Sequence, residues 1–500
     1  MARTLLFVGS VAILAVAPAI LASGIESSVT LAEPPASNEK AQSGAIVEGR
    51  DETGPPATTQ KSSSARQRRI ARLVRAAAKD GRLAYRLTEP AEVIELIGPP
   101  TQEETFGDGG MEVRRIRYPG ASFVFGRMRD EPVPFTLLRL TAQASTGLGR
   151  VLSMEEQVDI GEERKIALRT TRDLQKLDSF RGLENISLAR LDLRDRADIL
   201  QSWTFDTRTE WPAADKLPAG FDPEKLLESG KDPGLGVRGL HRQGIDGRGM
   251  HMAIIDQPLL RDHREYRQQI EAYEAIDVLF APPQMHGPPV ASIAVGRTCG
   301  VAPAAKLTYF AVPTWNRDNA PFCDALERIL ERNEKRPAAE RIHAVSISSG
   351  MFSNQPNFDR WQGVLKRATA AGVLVVTCDP AFLRYGTLDR MAGRDPDDPA
   401  SYRRGKYSSP NAVLRVPAGG HTTASYNGPD VYEYWADGGM SWCAPYLAGL
   451  ATLAFQVDAD ITPERITQLW LETATTTDVG AVVNPPGFIE QVRKTAAHGS

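Results

Sequence analysis

Short apolar runs alternate with longer helical stretches between residues 250 and 473, and this alternation is the strongest constraint on the fold. Strands alternating with helices favour a parallel sheet that is covered by helices on both faces. The sequence therefore predicts an α/β fold for this region. The predicted strands are 250–255, 306–312, 342–348, 372–377 and 411–416, and the predicted helices are 287–296, 322–333, 358–371, 445–456 and 462–473.

A serine follows a glycine pair near the end of this region, in the stretch from Gly438 to Pro445. Glycines permit a tight loop, and a proline fits the first turn of a helix. Because an apolar helical run follows Pro445, we expect Ser441 at the mouth of a buried helix, where the helix dipole favours a developing negative charge. A serine that only caps the helix would give the same local pattern.

Two upstream residues add a base and a carboxylate to this serine. Asp256 ends an apolar strand and His286 opens a helical run, 30 residues apart, and Ser441 follows 155 residues after His286. A hydroxyl nucleophile needs a base, and that base needs an orienting carboxylate. We therefore predict Ser441 as nucleophile, His286 as general base and Asp256 as the orienting residue. Taken singly, each could be a structural cap, loop carboxylate or buried histidine.

Five segments within residues 234–477 together resemble the subtilisin-like serine peptidases, the subtilase family, and suggest an atypical exported bacterial member. The resemblance implies a subtilisin-like fold and a serine endopeptidase that cleaves polypeptides through an acyl-enzyme, without a cofactor. It also implies that Ser348, Ser349 and Gly350 lie beside the cleft and pair with the substrate backbone; the same residues could simply end a strand. The segments are 247–256, 286–291, 300–307, 345–350 and 439–445.

The chain departs from that family where an oxyanion donor is expected. The family usually has an asparagine after the strand that corresponds to 372–377, whereas this chain has Cys378, Asp379 and Pro380. Asp379 is the nearest candidate: an ionised carboxylate would repel the oxyanion, and a protonated one could donate. Loss of such a donor typically costs about 2.7–4 kcal/mol of transition-state stabilisation.

This departure keeps a second function open, a catalytically weak or inactive scaffold that binds peptides or envelope partners. An esterase of the α/β-hydrolase type fits poorly, because the order here is Asp, His, Ser and no Gly-x-Ser-x-Gly elbow is present.

The N-terminal part of the chain predicts export and two further regions. One cation precedes the apolar run 4–22, which is typical of a signal peptide; an uncleaved membrane anchor is the alternative. We expect a secreted or periplasmic protein. The predicted regions are 1–23 signal peptide, 24–64 disordered linker, 65–147 small α+β module, 148–220 leucine-rich connecting segment and 221–495 peptidase domain.

The two middle regions carry less functional information. In the module, a helix over 88–98 and strands over 111–118, 121–128 and 135–140 resemble small modules of bacterial envelope assembly lipoproteins. That resemblance implies at most a contact of 81–147 with an envelope protein. The leucine spacing over residues 166–205 is typical of an incomplete repeat packed on a neighbour.

Charge and ligand patterns exclude some partners. The net charge of −3 argues against nucleic acid. No His/Cys cluster shows zinc spacing and no loop shows a run of calcium ligands, so no metal is predicted. Cys378 and Cys443 suit free core positions, and a pair between Cys299 and Cys323 is disfavoured because a whole strand separates them in the implied topology.

Overall fold

A computed structural model of the chain describes residues 57–108, 111–128, 133–143, 155–157, 165–177, 182–278, 281–406, 408 and 411–499. The predicted signal peptide and most of the predicted linker lie outside these residues. The chain divides into two compact units, whose main parts are the described residues before 158 and those from 165 on.

The elements of the described residues are numbered here in chain order. The helices are α1 (Ala57–Lys79), α2 (Pro90–Ile97), α3 (Ala197–Leu200), α4 (Pro223–Gly230), α5 (Val237–Arg242), α6 (Gly287–Val295), α7 (Ala320–Lys335), α8 (Phe358–Ala370), α9 (Met440–Val457), α10 (Pro463–Glu472) and α11 (Pro485–Gly499). The strands are β1 (Gln102–Asp108), β2 (Met111–Tyr118), β3 (Ala121–Met128), β4 (Thr136–Gln143), β5 (Glu155–Gln157), β6 (Ile166–Ala167), β7 (Ile186–Ser187), β8 (Phe205–Asp206), β9 (His251–Asp256), β10 (Ile270–Ala275), β11 (Lys306–Ala311), β12 (Ile342–Ile347), β13 (Leu374–Thr377), β14 (Tyr385–Arg390), β15 (Tyr402–Arg404), β16 (Leu414–Gly419), β17 (His421–Ala424), β18 (Tyr432–Trp435), β19 (Thr475–Thr477) and β20 (Gly480–Val482). Short 3-10 helices cover Thr171–Lys176, Ala214–Lys216, Thr314–Asn316, Ala338–Glu340 and Pro399–Ser401.

The smaller unit is an antiparallel sheet of β1 to β5, in chain order, with helices α1 and α2. Val74 and Ala77 of α1 share a core with Phe123 and Leu140 of the sheet. The helix and strand spacing of 88–128 predicted α2, β2 and β3. Strand β1 was missed because its sequence, QEETFGD, has Phe106 as its one large apolar residue and lacks an apolar face. Helix α1 begins inside the predicted linker, at Ala57.

The leucine-rich segment belongs to the larger unit and forms three short parallel rungs. Strand β6 pairs in parallel with β7, and Ser187 of β7 bridges Glu210 in parallel. The leucines between the rungs are buried, among them Leu174, Leu183 and Leu188. The residues shortly before Glu210 form β8, which pairs with β18. The incomplete repeat stays a prediction.

A five-stranded parallel sheet in the order β10-β11-β9-β12-β13 is the centre of the larger unit. Successive residues of a strand face opposite sides of a sheet. Met252 and Ile254 accordingly enter the core that contains α6 and α9, whereas Ala253 and Ile255 enter the core that contains α7 and α8. The predicted α/β class, with a parallel sheet and helices on both faces, is confirmed.

Two further sheets complete the larger unit. One has the order β15-β14-β16-β20-β19, in which β14, β16 and β20 are parallel and the edge strands are antiparallel. The other is antiparallel, in the order β17-β18-β8. The elements predicted between 250 and 473 are all present, but the helix expected at 445–456 begins at Met440 instead.

Candidate active site

Asp256 and His286 form a direct hydrogen bond at the carboxyl edge of the parallel sheet. His286 Nδ1 lies 2.7 Å from Asp256 Oδ1. The Asp256 side chain is 2% exposed and that of His286 is 12% exposed, so little water competes for the bond. Asp256 Oδ1 also accepts the backbone N–H of Gln257 at 2.7 Å. Among the described residues His286 Nε2 forms no hydrogen bond, which leaves this nitrogen available as a base.

Local packing explains why His286 starts its helix beside Asp256. The hydroxyl of Tyr309 donates to the carbonyl oxygen of Gln257 at 2.6 Å and fixes the turn after β9. A Cβ on Gly287 would lie 2.8 Å from both of these oxygens. Only a glycine therefore lets the first turn of α6 approach this turn closely enough for the bond between His286 and Asp256.

Ser441 is the second residue of α9, whose N-cap is Gly439. The hydroxyl of Ser441 donates a long hydrogen bond of 3.4 Å to the carbonyl oxygen of Ser348. Within the described part of the chain this hydroxyl forms no hydrogen bond with His286. The structure thus joins Asp256 and His286 directly and leaves Ser441 on a different acceptor.

Pro445 lies inside α9, so the expectation that it opens the helix is wrong. A proline inside a helix supplies no N–H to the carbonyl four residues earlier, which here belongs to Ser441. The hydroxyl of Ser348 donates to that carbonyl at 2.7 Å and satisfies it. This replacement bond is what allows the helix to extend back to Met440 and include the serine.

Trp442 connects the start of α9 with His286. Its ring centroid lies 5.2 Å from that of His286, at an interplanar angle of 42°. On another side it packs edge-on against Trp435, with centroids 5.3 Å apart. Because Trp442 directly follows Ser441, this contact brings the backbone of the predicted nucleophile to the side of the imidazole.

Ser349, Gly350 and Asp379, the remaining predicted site residues, follow β12 and β13. The carbonyl of Ser349 accepts the backbone N–H of Cys378 at 3.0 Å and so continues the pairing of these strands. A Cβ on Gly350 would lie 2.8 Å from the ring of Phe352. The carboxylate of Asp379 accepts the backbone N–H of Ala381 at 2.8 Å and caps a turn. It forms no hydrogen bond with Ser441 or His286 among the described residues.

Sequence reasoning missed the residues that support this site from a distance. Tyr309 supports the turn after β9, and Asp389 accepts a hydrogen bond from the backbone of Gly438. Tyr309 lies within an apolar strand, and Asp389 lies 52 residues before Ser441. Neither position carries a local pattern that marks it as part of a site.

The four cysteines are free. Burial raises the pKa of the Cys378 thiol to about 12, so this thiol stays protonated at neutral pH. The thiol of Cys443 points to the carbonyl of Val416 within the core. Among the described residues, no group of three or more His, Cys, Asp and Glu side chains could hold a metal ion.

No helix within the described part of the chain is long and apolar enough to cross a membrane. The predicted signal peptide or anchor at 1–23 lies outside the described residues.

Comparisons with known proteins give only similar solved structures. No family model and no curated protein matches the chain. A structure of subtilase cytotoxin SubAB assembly is similar at a TM-score of 0.42 and 15% identity, covering 53% of this chain and 97% of that one. The A subunit of an AB5 toxin from E. coli is similar at a TM-score of 0.42 and 14% identity, covering 52% and 98%.

These findings correct the family assignment made from the sequence. The two similar structures named above are those of subtilase cytotoxin and an AB5 toxin A subunit, not of a subtilisin-like peptidase proper, and no family model supports the assignment. The assignment to the subtilisin-like peptidase family is therefore wrong. A structural likeness at this level says nothing about the activity of this chain.

Proposed function

We propose that this protein is a serine endopeptidase that hydrolyses peptide bonds through an acyl-enzyme intermediate, with residues 221–495 as its catalytic domain. The hydrogen bond of 2.7 Å between buried Asp256 and His286 carries the proposal. A carboxylate on Nδ1 fixes the tautomer in which Nε2 is the basic nitrogen. Both side chains are largely hidden from water, unlike those of an ordinary surface ion pair.

In the proposed reaction, His286 Nε2 takes the proton of Ser441 as Oγ attacks the carbonyl carbon of the substrate. Asp256 stabilises the imidazolium that forms. When the tetrahedral intermediate collapses, the C–N bond breaks and the imidazolium donates its proton to the leaving amine. Water then attacks the acyl-enzyme with the same base, and Ser441 is regenerated. The positive end of the α9 helix dipole, at Met440 and Ser441, would favour the oxyanion.

The described hydrogen bond of the Ser441 hydroxyl can be released by a side-chain rotation. Its hydrogen bond to the Ser348 carbonyl is 3.4 Å long, near the outer limit for such bonds. A rotation about one side-chain torsion between staggered wells would release the hydroxyl. Ser348 would keep its own bond to the Ser441 carbonyl during this rotation, so the backbone of the nucleophile stays fixed.

The test is a fluorophosphonate probe, which reacts only with an activated serine, together with hydrolysis of unstructured casein by the full chain. We expect labelling of native protein and none of Ser441→Ala, with casein hydrolysis lost in parallel. Ser349→Ala is the matched control and should retain labelling, because the backbone carbonyl of Ser349 rather than its side chain carries its described bond. Equal labelling of native protein and Ser441→Ala would contradict the proposal.

Asp379→Asn is expected to raise kcat by up to about 10²-fold, the value of one oxyanion donor. An asparagine can keep the bond from the Ala381 N–H through Oδ1 and adds an amide donor in place of a negative charge. The measurement is kcat for a chromogenic peptide. Asp379→Ala removes the charge without adding a donor, so an asparagine variant no faster than the alanine variant would show that Asp379 does not face the oxyanion.

A second candidate function is a silent scaffold that binds peptides without cleaving them. Two observations favour it: the Ser441 hydroxyl is bonded to the Ser348 carbonyl rather than to His286, and no asparagine follows β13. A scaffold would bind casein peptides equally well before and after Ser441→Ala and would not react with the probe in either form. The labelling experiment therefore separates the two functions.

Export and partner contacts are proposed from the sequence alone. The apolar run 4–22 behind a single cation supports export to the periplasm or the medium, where polypeptide substrates would be met. A contact of residues 81–147 with an envelope protein stays a prediction.

A further inference from the structure

Two residues of the second sheet hold the backbone that leads to Ser441. Asp389 of β14 and Arg403 of β15 face each other across an antiparallel pair of strands. Arg403 Nη2 donates to Asp437 Oδ1 at 2.7 Å. Asp389 Oδ1 accepts the backbone N–H of Gly438 at 3.1 Å. One cross-strand pair thus holds two consecutive residues of the segment 437–441, called here the serine loop.

The contact with Asp389 is built into the interior. Asp389 is 1% exposed. Gly405 and Gly419 leave room for its carboxylate, since a Cβ on either would crowd one of its oxygens. A Cβ on Gly438 would overlap the backbone of Ala418, so the serine loop lies directly against the end of β16. A buried carboxylate is costly unless it is hydrogen-bonded. The backbone N–H groups of Gly438, in the serine loop, and of Lys406 supply the hydrogen bonds that offset this cost.

The serine loop transmits this hold to the nucleophile over a very short path. Gly439 is the N-cap of α9 and Ser441 is its second residue. A shift of Gly438 therefore moves the first turn of the helix, and with it Ser441 and the neighbouring Trp442 that packs on His286.

We propose that Asp389 and Arg403 are positioning residues for Ser441, and that the protonation state of Asp389 controls how firmly the serine loop is held. This inference rests on the proposed peptidase function for its catalytic consequence. The hold on the loop itself does not depend on that function.

The charges around Asp389 set the pH at which this control acts. Burial raises the pKa of Asp389 to about 7; the Gly438 N–H, the Arg403 guanidinium and the backbone N–H of Lys406 oppose the rise, and the Asp437 carboxylate adds to it. Tyr434 and Cys443 also interact with Asp389, and burial raises their pKa values, to about 12 for Tyr434 and well above the usual value for Cys443. Both stay neutral near pH 7, so Asp389 titrates there among constant charges.

The sign of the effect follows from the raised pKa. Above about pH 7 Asp389 is ionised and accepts a charge-assisted bond from Gly438, which is about twice as strong as a neutral one. Below that pH the bond weakens and the loop loosens. Global stability moves the other way, because a group whose pKa is raised on folding binds its proton more tightly in the folded state and destabilises that state as pH rises.

Hydrogen exchange of the full chain, measured by mass spectrometry on peptides that span 436–442, tests the hold on the loop. After correction for the intrinsic pH dependence of exchange, we expect protection to increase roughly 5-fold as pH rises through 7. In Asp389→Asn the loop should show no such transition. Asp398→Asn changes an exposed carboxylate that caps a nearby turn and should behave as native protein. A native chain without a transition would overturn the proposal.

Arg403→Gln tests the same proposal independently, in case Asp389→Asn does not fold. Removing the guanidinium withdraws a charge that lowers the pKa of Asp389, so the transition should move to higher pH. A transition at unchanged pH would contradict the pairing.

The catalytic consequence is read from the ratio of kcat in native protein to kcat in Asp389→Asn, measured from pH 6 to pH 8. Because protonation of Asp389 loosens the loop, this ratio should rise by up to about 5-fold as pH rises through 7. A constant ratio alongside a normal exchange transition would refute positioning of Ser441. If the fluorophosphonate probe labels neither native protein nor Asp389→Asn, the proposed peptidase function is wrong. The exchange experiment still tests whether Asp389 holds the serine loop.

Discussion

Replacing Asp256 with asparagine is expected to lower kcat for peptide hydrolysis about 10⁴-fold, the loss that this substitution causes in the serine protease triad. An asparagine keeps the shape of the site but can present its NH₂ group to His286 Nδ1, which favours the tautomer with the proton on Nε2. The base is then blocked. Because Asp256 is 1% exposed, water cannot restore the lost interaction. The measurement is kcat of the purified full chain on a chromogenic peptide.

Asp262→Asn is the matched control for this variant. Asp262 lies on the same connection after β9 but is exposed, so its replacement should leave kcat within about 2-fold of native, as expected for surface substitutions. A loss of less than 10-fold in Asp256→Asn would show that His286 is not oriented by Asp256 during the reaction.

Gly438→Ala is expected to lower the free energy of unfolding by about 1–3 kcal/mol or more, and to abolish probe labelling. The added Cβ would overlap the backbone carbonyl of Ala418 and crowd the N–H of Gly419, and neither can rotate away as a side chain could. The serine loop must therefore move away from β16 and carry Ser441 with it. The measurements are urea unfolding and the rate of fluorophosphonate labelling.

The neighbouring glycine provides the control for this prediction. At Gly439 a Cβ would meet only the backbone nitrogen of Ser441, at 4.0 Å. Its φ of −80° and ψ of 167° are open to alanine. Because glycine is preferred over alanine at an N-cap, we expect the free energy of unfolding of Gly439→Ala to lie within about 1 kcal/mol of that of native protein. If both variants were equally stable, the close packing of the serine loop on β16 would be excluded.

Strands β9, β11, β12, β13 and β16 and helices α6 to α10 were readable from sequence because their signal is local, whereas strands such as β10 and β14 were not predicted. An apolar run such as 250–255 can bury itself only as a strand with covered faces, and helical spacing marks α7 and α8 in the same way. The prediction failed where a local rule was overridden. The rule that proline opens a helix placed the start of α9 at 445, but the hydroxyl of Ser348 satisfies the carbonyl that Pro445 leaves unpaired, so the helix begins at Met440.

The candidate site was also predicted where the signal is local and missed where it depends on contacts between distant residues. The sequence identified Asp256 at a strand end and His286 at a helix start, and the structure joins them at 2.7 Å. It assigned Ser348 to substrate binding, whereas the described contacts of that residue are with the backbone carbonyl and the hydroxyl of Ser441. It gave no sign of Asp389, because no element was predicted between 377 and 411, and a lone aspartate has no pattern that distinguishes a buried acceptor from an exposed charge.

The sequence by itself determined the alternation of strands and helices, the α/β class, and the residue types available at the ends of β9 and α9. These follow from periodicity and from the conformational limits of glycine and proline, which act over a few residues. Only the tertiary structure decided which acceptor the Ser441 hydroxyl takes, how Pro445 fits inside a helix, and that Asp389 holds the loop before Ser441. Those contacts join residues 49 to 93 positions apart, and they depend on how buried surfaces pack, which no short stretch of sequence encodes.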